Sequence, residues 1–139
     1  MKHGMYPTNP LDRYKAERLV DLITSDCQLY TPEFLAAEDQ EEWIAKRAKE
    51  VLPEFLRKIN KNIDTNYMKH GWAATKELSI ADVVLLAWLA SVIFNPYYED
   101  REKLLENSEL PHLKLYWEQK KKMIEDYLDD TEKRVFSII

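Results

Sequence analysis

From Leu11 onward, apolar residues recur at spacings of three and four: Ala16, Leu19, Val20, Ile23 and Cys27. Arg13, Lys15, Arg18 and Asp21 lie mostly off that stripe. The pattern predicts an amphipathic helix from Leu11 to about Tyr30, entered through the turn-forming Pro7-Thr8-Asn9-Pro10. Thr31-Pro32-Glu33 restarts the chain. A second helical region is expected from Pro32 to Met68, with its stripe on Ile44, Ala48, Val51, Leu52, Phe55, Ile59 and Ile63. Pro53 falls inside that region. It removes one helical hydrogen bond and crowds the preceding turn, so a kink or brief break is expected near Val51. His70-Gly71 should end the region, glycine being suited to a helix C-terminus.

Ser79-Ile80-Ala81-Asp82 reads as a capping box, with Ser79 accepting from the Asp82 N–H and Asp82 reaching back to the Ser79 N–H. Leu78 and Val83 stand where a hydrophobic staple would close. Residues 83–89 are apolar on nearly every side, which predicts a helix at the centre of a bundle. Asn95-Pro96 should stop it. A short helix is expected within 97–107. Pro111 then opens another, with Leu113, Tyr116, Trp117, Ile124, Tyr127 and Leu128 inward. Asp129-Asp130 should break it, leaving a last turn or two before the end. The expectation is an all-α bundle of five to six helices in a single domain over 1–139.

Composition sharpens this picture. Two glycines in 139 residues leave little material for tight hairpins or a phosphate-binding loop. A net charge of −5 argues against a nucleic-acid surface. Lys120-Lys121-Lys122 is the only basic run and reads as a solvated helix face. Cys27 is the single cysteine, so no intrachain disulfide forms. Its place on an apolar stripe reads as a buried, inert thiol in a reducing compartment, cytoplasmic or mitochondrial. The longest apolar stretch, 83–94, is too short to span a bilayer. His3, His70 and His112 show no metal-ligand spacing, so no metal is expected. Trp43, Trp72, Trp88 and Trp117 read as packing residues.

The order of these pieces resembles the C-terminal domain of cytosolic glutathione transferases, nearest to the mu and sigma classes. Three segments carry the likeness. Residues 4–10, Gly-Met-Tyr-Pro-Thr-Asn-Pro, look like the entry to that domain's first helix. Tyr30-Thr31-Pro32-Glu33-Phe34 looks like the mu-class joint between the first two helices, and Leu78-Ser79-Ile80-Ala81-Asp82 like the family's capping box. The family usually carries Gly-Asp or Gly-Asn shortly before that box. Here Ala74-Thr75-Lys76-Glu77 stands there, so that loop is expected to be built differently.

The resemblance implies the chemistry. In this family a glutathione thiolate attacks an electrophile, and an N-terminal thioredoxin-like domain supplies the thiol-activating group and most glutathione contacts. The present chain starts where that domain would have ended, so it is expected to be inactive alone, with glutathione bound only in an assembled site. Two residues are candidates for that site. Asp21 falls near an acidic position that reaches the neighbouring subunit's glutathione, or it is a solvated residue beside Arg18. Tyr30 matches a tyrosine of the electrophile pocket, or it is a half-buried helix-end residue. No catalytic residue is expected within the chain.

Two functions compete. One is a non-catalytic helical interaction or structural module, as domains of this family serve in translation factors and aminoacyl-tRNA synthetase complexes. The alternative is the C-terminal half of an active glutathione transferase, completed by a missing or separate thioredoxin-like domain. An unrelated helical bundle is a third reading. A protein partner or a homodimer is expected, with a dimer face on the first helix and the Trp43 region.

Overall fold

The computed structural model describes residues 6–27, 36–93, 105–106 and 110–123. Among them are five α-helices and no strand, so the chain is all-α as its sequence predicts. In order these are α1 Pro10–Asp21, α2 Gln40–Glu50, α3 Leu52–His70, α4 Ile80–Ile93 and α5 Pro111–Lys120.

α1 begins where its sequence signals it. The Asn9 side-chain oxygen accepts from the N–H groups of Leu11 (2.9 Å) and Asp12 (3.2 Å), and Pro10 takes the first helical position. Ala16, Leu19, Ile23 and Cys27 are buried, which confirms the stripe. The helix does not continue regularly to Tyr30. From Leu22 to Asp26 it widens into a π-helical turn, and Cys27 is already outside it. The β-branched pair Ile23-Thr24 lies in this turn, and the Thr24 hydroxyl donates to the Val20 carbonyl at 2.8 Å. The indole N–H of Trp88 donates to the Cys27 carbonyl at 3.1 Å and fixes the end of the turn to α4.

Between residues 40 and 68 the expected single region is two helices. α2 starts at Gln40 because Asp39 caps it, its carboxylate accepting from the Glu42 N–H at 3.0 Å. Asp39 and Glu42 have the spacing of a capping box, a signal that a single long helix overlooks. The break comes at Val51, as expected, and Pro53 falls in the first turn of α3, where a missing N–H costs nothing. α3 ends at His70. Gly71 adopts φ 75° and donates its N–H to the Tyr67 carbonyl at 2.7 Å.

α3 packs on α2 and α5, whereas α4 packs on α1 and the π-helical turn and touches α5. The core lies between these sets: Leu52, Ile59 and Ile63 from α3, Leu85, Trp88 and Leu89 from α4, Leu113 and Tyr116 from α5. Trp117 is also buried, and Trp43 and Trp72 are half-buried. The expected inward residues Ile124, Tyr127 and Leu128, the Asn95-Pro96 stop and the segment after residue 129 lie outside the described residues. So does most of the expected helix at 97–107, within which Leu105 is a buried turn residue.

Candidate functional site

The most connected polar group is the carboxylate of Asp82 in the first turn of α4, which is 0% exposed. Its Oδ2 accepts from the Ser79 N–H at 3.0 Å and, at the limit of a hydrogen bond, from the Ser79 hydroxyl at 3.5 Å. Its Oδ1 accepts from the Ala73 N–H at 2.9 Å and from the Tyr116 hydroxyl at 2.8 Å. Half of the expected capping box is therefore present. In the other half the Asp82 N–H bonds to the backbone carbonyl of Ser79 at 3.0 Å rather than to its hydroxyl. A buried carboxylate needs donors, and four neutral ones converge on it here. Burial, the Asp82 charge and the hydrogen bond to it all push the Tyr116 phenol well above its ordinary range, so Tyr116 stays a neutral donor.

This hub fixes the loop between α3 and α4. Asn66 adds two bonds from its amide, to the carbonyls of Trp72 and Thr75, each 2.9 Å. The Lys120 ammonium lies 3.7 Å over the Trp72 ring. Part of the basic run expected to be solvated is therefore spent on packing. A second buried polar residue, Asn60 in the middle of α3, accepts from the Leu113 N–H at 2.9 Å. Leu110 offers α5 no side-chain cap, so Asn60 supplies one from another helix.

Of the two expected site residues, Asp21 is the one that lies among the described residues. Asp21 is exposed at the end of α1, on the face turned away from Ala16, Leu19 and Ile23. Tyr14 (60% exposed) and Leu11 (59%) share that outward side. Tyr30 lies outside the described residues. Cys27 is buried, and desolvation, with smaller opposing influences of Lys58 and Asp26, raises its thiol to about 11. That is the inert thiol the stripe predicts. Among the described residues no three His, Cys, Asp or Glu side chains come together as a metal site, and no helix is long and apolar enough to cross a membrane.

Two surfaces escaped the sequence reading. The first is the outward face of α4. Residues 80, 83, 84, 87 and 91 share one face and are Ile, Val, Val, Ala and Ser. Val83 is 42% exposed and Ala87 is exposed, so α4 is not enclosed on every side, and Val83 does not belong to the core. The described elements that pack on α4 are α1, the π-helical turn and α5; on this face they leave Val83 and Ala87 exposed and Ile80, Val84 and Ser91 half-buried. The second is a cleft of about 280 Å³ between α1, α3 and the α3–α4 loop, rimmed by basic side chains. Basic pairs on facing helices were the only signal for it, and sequence alone does not say which helices face each other.

Residues 25–131 match the family model for the glutathione S-transferase C-terminal domain. No curated protein and no solved structure matches the chain. The match begins within the π-helical turn and covers α2 to α5 and the Asp82 hub, and its class agrees with the all-α architecture. The chain belongs to the glutathione S-transferase C-terminal domain family.

Proposed function

We propose that this domain is a structural and docking module, inactive alone as a glutathione transferase, whose outward α4 face takes a folded partner. The observation that supports this is the apolar stripe on that face, exposed at Val83 and Ala87. None of its residues, Ile80, Val83, Val84, Ala87 and Ser91, is charged, and Val83 is 42% exposed. Helix faces turned to water are ordinarily polar, and uncovered apolar stripes mark contact surfaces. Family resemblance names the occupant, a thioredoxin-like domain, carried on the same polypeptide or on a separate one.

The alternative reading gives the assembled pair transferase activity. There the partner would hold and activate glutathione, while this domain would contribute Tyr30 to the electrophile pocket and Asp21 to the neighbouring subunit's ligand. The exposure of Asp21 at the end of α1 favours this reading, because a carboxylate that reaches across a subunit boundary must be accessible. The mu- or sigma-like class rests on the same residues.

One assay separates the readings. The chain is tested for conjugation of glutathione to an aryl halide, alone and with a mu-class thioredoxin-like domain. The docking reading expects a complex with no turnover in either case. Turnover only in the complex, lost in Asp21→Asn, would establish the alternative. Turnover by the chain alone would overturn both.

A further inference from the structure

We propose that the cleft between α1, α3 and the α3–α4 loop binds a small di- or trianion, separately from the docking face of α4. Two walls carry its charge. Lys15 and Arg18 stand on α1 one turn apart, and Lys69 stands at the end of α3 beside the His70 imidazole. No acidic side chain lines the cleft, in a chain whose net charge is −5. Positive charge gathered in a concave site against the sign of the whole molecule focuses the field on an anion.

The floor is built rather than incidental. Leu19, Ala73 and Ala74 form it, all buried. The loop bearing the two alanines is held at three points: Asn66 to the Trp72 carbonyl, Asn66 to the Thr75 carbonyl, and the Ala73 N–H to Asp82. The small side chains keep the floor low between the basic walls. The volume, about 280 Å³, suits a compact anion rather than a polymer. Asn62, on the same helix as Lys69, adds a neutral hydrogen-bonding group. The chemistry shared by the ligands that fit is two or three negative charges on a small frame, as in a pyrophosphate or a tricarboxylate.

The test is isothermal titration of the intact chain with inorganic pyrophosphate and, separately, with citrate at low ionic strength, with amide shifts followed in parallel. Saturable binding is expected, with shifts centred on Ala73, Ala74 and Lys69. Tighter pyrophosphate identifies a phosphate-type ligand, and tighter citrate a polycarboxylate. The double variant Lys15→Gln/Lys69→Gln removes one exposed charge from each wall and should weaken binding by about tenfold or more. Lys46→Gln, an exposed change on α2 outside the cleft, should leave affinity within about twofold, since a distant exposed charge is screened. Absence of saturable binding by both anions would overturn the proposal. So would equal weakening by Lys46→Gln, which would mean general charge attraction alone.

Discussion

α3 and α4 are inverted with respect to each other. α3 buries Leu52, Phe55, Leu56, Ile59 and Ile63 and turns Glu54, Arg57, Lys58 and Lys61 to water, as an amphipathic helix should. α4 has one charged residue, Asp82, and buries it completely, while its outward face is apolar. α3 is finished by solvent, whereas α4 is anchored by an interior charge and leaves Val83 and Ala87 of an apolar face exposed. The difference teaches that the polar group of α4 serves construction, and that the docking proposed above rests on the opposite side of the helix.

Substitution at the interior charge should have the largest effect. Asp82→Ala strands the Ser79 N–H, the Ala73 N–H and the Tyr116 hydroxyl. At roughly 1–3 kcal/mol for each unsatisfied buried group, a loss of about 4 kcal/mol is expected in urea denaturation. That is a large share of the ~5–15 kcal/mol that holds a typical domain. Asn60→Ala, the corresponding change inside α3, leaves only the Leu113 N–H without its partner and should cost about 1–2 kcal/mol. Equal losses from the two variants would break the comparison.

Alkaline pH sharpens it. Tyr116 keeps its proton in the hub above the ordinary 10.0 of a phenol, whereas the unfolded chain releases it there. The raised value means that stability is intact below pH 10 and falls as pH rises beyond it. Tyr116→Phe should start about 1 kcal/mol less stable and lose less on going above pH 10. Asn60→Ala should keep the wild-type pH slope, since an amide does not titrate. The smallest effects belong to the outer faces. Lys58→Ala removes an exposed ion pair to Glu54 (3.6 Å) and should cost under about 0.5 kcal/mol. Val83→Asp should change stability by a similarly small amount, about 0.5 kcal/mol, while abolishing docking. A large stability loss from Val83→Asp would show that its side chain belongs to the core.

The legible features of the fold were the local ones. The Asn9-Pro10 start of α1, the Pro53 break and the Gly71 cap each depend on residues a few positions apart. So does the bond from Asp82 to the Ser79 N–H. The partners that complete the hub are distant: Tyr116 comes from α5, and Ala73 from a loop whose path depends on Asn66. Asn60 is further from legibility still, since a polar residue within an apolar helical stripe gives no sign that it caps a helix 53 positions later. The π-helical turn escaped because periodicity does not register a single extra residue when both Ile23 and Cys27 remain buried. The part-exposed face of α4 escaped for the opposite reason. A helix apolar all round reads as central, and only the packing shows which side is uncovered.

The most direct test of the docking account is hydrogen exchange of the chain with and without a mu-class thioredoxin-like domain. The account predicts added protection over the peptide carrying Val83, Ala87 and Ser91, lost in Val83→Asp, with α3 unchanged. Binding that protects α3 and leaves α4 as it was, or no protection anywhere, would contradict it.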